Sequence, residues 1–383
     1  MRTPSLYYSG FCQTFLTLFQ FLTSSQHRLD SVGKPFPCFG SSNGPGELMT
    51  ARLRFNPRLF LRAITLGFTL GPCVAGATYT QTEAGRAFVA QMHTEHGFRR
   101  EDVATWLAEA EKQQKIIDAI SSPAEKTLDW QAYRKIFMTG DRIAGGRAFL
   151  EAHREAFDRA EEAPGLARSI AAAIIGVETR YGQFRGSYRV IDALATLGFD
   201  YPPRSTFFRK ELEQFLLLTR EQGFDPLKVR GSYAGAMGYG QFISSSYRAY
   251  AIDFDGDGVA DLLDNPTDAI GSVANYFARH GWKAGQPIAE RVQVGPHQAA
   301  LAETQLKPGK KLGQFRAAGL TVQADLPDDA PARLLQLEGE NGPEFWLTFH
   351  NFYVITRYNH SSLYAMAVLE LSRALEAGGE DEV

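Results

Sequence analysis

Between Leu166 and Gly182 the chain reads LARSIAAAIIGVETRYG, nearly all small or aliphatic until Glu178. A helix without a polar face has to be enclosed by other elements. The protein is therefore expected to pack helices around this one. Its 383 residues predict two or three domains. With 44% hydrophobic and 22% charged residues the chain is ordinary for a soluble globular protein. That composition excludes a disordered or collagen-like chain and argues against several membrane spans. A net charge of -3 gives no reason to expect nucleic acid as a partner.

The first 77 residues follow different rules. They hold all three cysteines (Cys12, Cys38, Cys73) and a net charge of +5, which leaves -8 and no cysteine for the rest. After Met49, Arg52, Arg54 and Arg58 precede an apolar run from Leu59 to Leu70, and Ala75-Gly76-Ala77 offers a small-x-small cleavage site. This is the layout of a secretory signal, so residues 49–77 are read as a leader and the mature protein as periplasmic. A single membrane anchor fits less well, because the run contains Arg62 and is short of the roughly 20 residues a span needs. A lipid anchor on Cys73 is the minority alternative, with Pro72 an awkward neighbour for it. Residues 1–48 resemble neither signal nor domain, and translation is expected to start at Met49. A mature chain without cysteine has no disulfides and must rely on its core; about 300 residues can bury about 75% of their unfolded surface.

The fold class expected is mainly α, with a small inserted β domain. From Thr78 to about Arg220 apolar residues recur at helical spacing, as in Phe149, Ala152, Ala156-Phe157 and Ala160. Residues 290–347 change to short alternating runs, Arg291–Val294, Leu320–Gln323 and Ala332–Leu337, which predict strands. Asn351 to Leu375 returns to helical spacing and predicts one final helix. The domains expected are 78–165, helical; 166–289, a core around the apolar helix; 290–347, the β insert; and 348–383, completing the core.

Glu178 is the only charged residue between Arg168 and Arg180. Among Ile174, Ile175 and Val177 it loses hydration and keeps its proton to higher pH. The negative end of the helix dipole acts in the same direction. A protonated Glu near neutral pH is what a general acid for glycosidic-bond cleavage requires. Alternatively, Glu178 points outward or pairs with Arg180 or Arg189. Farther on, Gly231-Ser232-Tyr233-Ala234-Gly235-Ala236-Met237-Gly238-Tyr239-Gly240-Gln241-Phe242 is no phosphate loop, lacking the Gly-Lys-Ser/Thr ending. Its glycines and tyrosines suggest close approach of an extended ligand, or simply a tight loop between helices.

Four blocks together carry a resemblance. Gly176–Gly182, Gly231–Phe242, Ala269–Phe277 (AIGSVANYF) and Tyr353–Asn359 (YVITRYN) resemble, in order and spacing, the lytic murein transglycosylase B family, and the likeness covers about 85–375. It implies a periplasmic enzyme with a lysozyme-like catalytic core. Its substrate would be the glycan strands of peptidoglycan. The bond cut would be the β-1,4 link between N-acetylmuramic acid and N-acetylglucosamine, leaving a 1,6-anhydromuramoyl end. Glu178 matches the single catalytic Glu, acid first and then base on the muramoyl C6 hydroxyl. The same likeness puts Tyr133, Ser232, Gln241, Tyr276, Tyr358, Asn359 and Tyr364 along the sugar cleft, where tyrosines stack on sugar faces and amides pair with acetamido groups. Several of these tyrosines could equally be core. Ordinary glycosidases use two carboxylates; Asp192, Glu211 and Glu213 are the nearby candidates for a second and read as surface or structural. The chain is expected to act as a monomer without organic cofactor, and the resemblance admits other cell-wall enzymes as partners.

Asp253-Phe254-Asp255-Gly256-Asp257-Gly258-Val259-Ala260-Asp261-Leu262-Leu263-Asp264 matches a calcium loop of the EF-hand type. Asp253, Asp255 and Asp257 supply acids at positions 1, 3 and 5, Gly258 the turn, and Val259 a backbone carbonyl. Position 12 is Asp264, whereas the family resembled closes a longer loop with the residue matching Asp268. Both stay open as the closing ligand of one structural Ca2+. A lysozyme-type hydrolase and a non-catalytic peptidoglycan-binding protein remain the alternative functions.

Overall fold

The computed structural model describes residues 78–121, 128–162 and 165–377. The leader, Cys73 and the segment 1–48 lie outside these residues.

Among the described residues six α-helices, α1 (Glu83–His96), α2 (Arg100–Glu109), α3 (Gln114–Ser121), α4 (Trp130–Phe137), α5 (Gly140–Ala152) and α6 (Arg154–Glu162), precede the expected buried one, α7 (Arg168–Thr179). Every residue of α7 from Ser169 to Thr179 is buried, as its apolar circumference requires. After β1 (Tyr188–Arg189) come α8 (Val190–Asp200), α9 (Ser205–Gln222) and β2 (Arg230–Gly231), which pairs antiparallel with β1. Then follow α10 (Ser244–Tyr250) and α11 (Pro266–Arg279), the latter started by Pro266 and capped by the Asn265 side chain. Helices on both sides of residue 165 feed one hydrophobic core, from Phe88 and Met92 through Ile174 and Leu216 to Leu369.

The inserted sheet has the order β3-β6-β5-β4, with β3 Ala289–Arg291, β4 Lys310–Lys311, β5 Pro331–Gly339 and β6 Gly342–Thr348. Two short helices, α12 (Pro296–Ala299) and α13 (Leu312–Ala317), lie between its strands in sequence. The alternation of β5 and β6 buries both faces. Ala332, Leu334 and Leu347 join Val292, Leu312 and Phe315 in a second small core. Leu335, Leu337 and Trp346 face the main one. The register pairs Leu334 with Leu347 and Leu335 with Trp346, so a one-residue slip would exchange the two faces.

Two expectations from spacing fail here. Leu320–Gln323 forms no strand: Leu320 N–H bonds back to Phe315 O at the end of α13, and the backbone of Gln323 and Ala324 donates to the Glu290 carboxylate. Of the first alternating run, Arg291–Val294, only Arg291 lies in a strand, at the end of β3. The final helix is two, α14 (His350–Tyr358) and α15 (Ser362–Glu376), broken at Asn359–Ser361. The Ser361 hydroxyl caps α15 by accepting from Tyr364 N at 3.3 Å.

Of the three candidate second carboxylates, Asp192 and Glu211 are buried and not on the surface. Asp192 is bound by Arg189 and by Glu111 N–H at 3.0 Å, whereas the half-buried Glu213 meets His96 at 3.2 Å. Glu211 on α9 accepts from Ser245 N at the start of α10, 3.0 Å away. Burial pushes its carboxyl above the usual range, against the lowering effect of that bond. A raised folded value means that stability is full below the ordinary Glu range and is lost as pH rises through the folded value. Glu211→Gln keeps the acceptor and removes the charge. It is expected to raise Tm at pH 7 by about 2 °C and to change it less at pH 4; thermal melts at both values check this.

Candidate active site

Glu178 lies in the last turn of α7 and is 6% exposed. Beyond it Arg180 and Tyr181 are both left-handed, at φ 50° and 60°, and Gln241 in the Gly-rich loop is the third such residue that is not glycine among the described residues. Side chains avoid this region, so surrounding contacts have to hold them there. The Thr179 hydroxyl donates to Tyr239 O at 2.8 Å and accepts from Gly182 N at 2.9 Å. Gln241 Nε2 donates to Arg185 O at 3.2 Å and Gly238 O at 2.9 Å. Arg142 donates to Gly176 O. The Tyr181 ring lies 5.6 Å from Phe149 and fills the space that a Cβ at Gly146 or Gly176 would need. The chain after Glu178 and the Gly-rich loop are thus one bonded unit.

The Gly-rich loop is not open to a ligand at its glycines. Met237 in its middle and Phe242 at its end exchange backbone bonds of 2.9 and 3.0 Å. A Cβ at Gly231 would meet Ala236 O at 2.3 Å, and one at Gly238 would meet Leu262 O at 2.0 Å. The protein's own packing, not an approaching ligand, accounts for these two glycines. The Ser232 hydroxyl accepts from Ala236 N at 3.0 Å and Ala234 N at 3.3 Å, so it shapes the same loop.

Tyr364, in the first turn of α15, donates to Glu178 Oε1 at 2.7 Å across 186 residues of sequence. Burial first, then the charge of Glu178, pushes its phenol far above the usual range, so it stays a donor. Tyr133 on α4 is fully buried, 5.1 Å from Phe137. Half-buried Tyr358 donates to Gly240 O at 2.5 Å, and burial followed by Glu178 raises its phenol as well. Tyr276 on α11 donates to Arg357 O at 2.6 Å, with its ring 4.8 Å from that of Tyr358. Asn359 is buried at 1% exposure, yet neither its Nδ2 nor its Oδ1 finds a partner. A buried amide in this state can pair with a polar ligand group. The β insert reaches the site too, since Arg333 on β5 donates to Ser362 Oγ at 3.1 Å, in the first turn of α15.

The two arginines that could have neutralised Glu178 are engaged elsewhere: Arg189 with Asp192 at 2.7 Å, Arg180 with Asp141 at 3.7 Å. Thr179, Tyr181 and Arg142, given no role from the sequence, hold the turn. Thr179 and Tyr181 lay in the Gly176–Gly182 block; nothing in the sequence pointed to Arg142.

In the acidic loop one oxygen from each of Asp253, Asp255 and Asp268 lies within 4.8 Å of the others. Oxygens on opposite sides of a Ca2+ at 2.3–2.6 Å would be separated by roughly this distance. Asp268 is fully buried; its Oδ1 accepts from Phe254 N at 2.7 Å and its Oδ2 from Asp261 N at 2.8 Å. Burial raises its carboxyl despite those bonds. Asp257 binds Val259 N at 2.9 Å, and Val259 O accepts from Asp261 N at 3.1 Å; neither residue joins the three-acid group. Asp264 is exposed and faces Arg185 at 3.4 Å, also outside the group. The acids present fit a hard divalent cation, with Asp268 and not Asp264 beside Asp253 and Asp255.

The family model for the transglycosylase SLT domain matches residues 81–373. The membrane-bound lytic murein transglycosylase B of Escherichia coli is 41% identical over 322 residues, 81% of this chain and 88% of that protein. The structure of soluble lytic transglycosylase SltB1 from Pseudomonas aeruginosa is 48% identical, with a TM-score of 0.73 over 76% of this chain and 97% of that one. The Escherichia coli lytic transglycosylase Slt35 in complex with calcium is 41% identical, with a TM-score of 0.71 over 78% and 94%. The likeness runs through the helices that carry Glu178 and Tyr364 and the whole β insert, and the chain belongs to the transglycosylase SLT domain family.

Proposed function

We propose that the protein is a peptidoglycan lytic transglycosylase. It cleaves the β-1,4 bond between N-acetylmuramic acid and N-acetylglucosamine without water. The observation that carries this reading is the buried Glu178 carboxyl, held by the Tyr364 hydroxyl at 2.7 Å, while the buried Asp192 and Glu211 accept structural bonds from backbone N–H groups. Glu178 gives its proton to the glycosidic oxygen as the C1–O bond breaks. The resulting carboxylate then takes the proton of the muramoyl C6 hydroxyl as O6 bonds to C1. Proton and oxygen balance without a second acid, because the substrate's acetamido group can support the cationic centre. Asn359, with its unpaired buried amide, would bind such a group, and Tyr133, Tyr276 and Tyr358 would contact the sugars, with Ser232 and Gln241 shaping the neighbouring loop.

Asp253, Asp255 and Asp268 would hold one structural Ca2+, with Asp257 and the Val259 carbonyl as the remaining donors of the loop. When bound, the ion supplies charge compensation, which fixes the chain between the Gly-rich loop and α11. Residues 49–77 direct export to the periplasm. The membrane-bound name of the Escherichia coli relative favours a second reading of that leader, lipid attachment at Cys73; no described helix is long and apolar enough to cross a membrane.

Mass spectrometry of digested sacculi tests the reaction. Anhydro-ended muropeptides are expected; reducing ends would make the protein a hydrolase, and no cleavage a binding protein.

A further inference from the structure

Arg333 stands on β5 of the insert and is 1% exposed. Its Nε donates to Glu303 O at 3.1 Å and its Nη1 to Ser362 Oγ at 3.1 Å. Among the described residues no carboxylate lies at ion-pair distance from it; that of Glu303 is taken by Lys310 Nζ at 2.8 Å. Burial pushes the guanidinium down to about 10, against the raising effect of Glu303. Two penalties fall on this residue. A buried cation without a paired anion loses hydration that no partner returns. It also meets the first turn of α15, the positive end of that helix dipole, where a cation is unfavourable. Docking the insert onto the core requires neither, because Leu335, Leu337 and Trp346 already pack there.

What the guanidinium reaches is the start of the helix that carries the partner of Glu178. Ser361 caps α15 through Tyr364 N, Ser362 is its first residue, and Tyr364 two residues on donates to Glu178 Oε1 at 2.7 Å. The insert holds the last turn of the same helix as well. Arg373 donates to Ala289 O on β3 at 2.8 Å, and its guanidinium lies 5.6 Å from the centre of the Trp346 ring on β6. Helix α15 is thus tied to the insert at both ends, and the tie at the first turn is the one beside the reacting carboxyl. A displacement of about 1 Å at such a group can lower a rate by about 10²-fold. A fixed first turn therefore matters to the chemistry more than to the packing.

We propose that Arg333 is a positioning residue: through Ser362 it fixes the first turn of α15 and so keeps the Tyr364 hydroxyl on Glu178, which gives the β insert a part in catalysis. The proposal rests on the reading of Glu178 as the acid. Its test is kcat and KM of the full chain on glycan strands, read as anhydro ends released. Ser362→Ala is expected to lower kcat about tenfold at unchanged KM, and Ser362→Thr, which keeps the hydroxyl, should stay near wild type. Arg333→Met keeps the apolar stem, removes the guanidinium and should lower kcat as Ser362→Ala does. Tyr364→Phe removes the bond to Glu178 itself. In that background Ser362→Ala should change kcat by less than about twofold, because both substitutions act on one contact. An equal fall in both backgrounds, or wild-type kcat in Ser362→Ala, would overturn this proposal alone. Absence of any cleavage by wild type would overturn the reading of Glu178 and the proposal with it.

Discussion

Glu178→Gln is expected to lower the release of anhydro-ended muropeptides by about 10³-fold, with the fold intact. The amide oxygen still accepts from Tyr364, so the 2.7 Å contact and the last turn of α7 survive. What disappears is the transferable proton, and with it both roles of the group: no acid for the leaving oxygen, and no base for the C6 hydroxyl. Burial makes the side chain a poor place for a charge, so the neutral amide should leave Tm unchanged or slightly higher. Loss of rate without loss of Tm therefore separates chemistry from folding. Initial rates from mass spectrometry, with melting curves on the same samples, make the measurement. A variant that releases anhydro ends at the wild-type rate would remove Glu178 from the acid role.

Much of this arrangement could be read from the sequence where one segment met one physical demand. Helix α7 was evident because nothing in Ser169–Val177 tolerates water, and Glu178 because it interrupts that run alone. The run Ala332–Leu337 was legible as a strand because it alternates over a sufficient length, each face meeting its own core, and the structure extends it to Pro331–Gly339. Four alternating residues at Leu320–Gln323 carried no such weight, since Leu320 and the partly buried Val322 meet the small core without pairing, and the Glu290 carboxylate takes the backbone N–H groups of Gln323 and Ala324. Periodicity passed through Asn359–Ser361 because both flanking helices bury similar faces; the break depends on a cap that one Ser provides. The partner of Glu178 was least accessible. Tyr364 lies 186 residues away, and pairing at that distance is set by how α15 crosses α7, which residue spacing does not encode. The Arg142 bond to Gly176 O is another case of the same kind.

Calcium is expected to raise Tm by roughly 8 °C over a chelated sample, from about 4 kcal/mol at a thousandfold excess over Kd. Three carboxylates whose oxygens approach within 4.8 Å repel without a cation, and one of them, Asp268, is fully buried. The two candidate closing ligands then give opposite results. Asp268→Asn should abolish the calcium-dependent shift, because it removes the buried charge that joins the loop to the first turn of α11. It also lowers the baseline Tm, since an amide cannot accept from both Phe254 and Asp261 through two oxygens as the carboxylate does; the shift between the two conditions, not Tm itself, is the readout. Asp264→Asn should keep the full shift, because the Asp264 carboxylate is exposed and pairs with Arg185 at 3.4 Å, outside the three-acid group. Position 12 of the spacing would have chosen Asp264, but its carboxylate faces solvent while the chain turns Asp268 inward. Coincident melts with and without calcium would remove the ion from the account. Loss of the shift in Asp264→Asn with retention in Asp268→Asn would leave the ion and exchange its ligands.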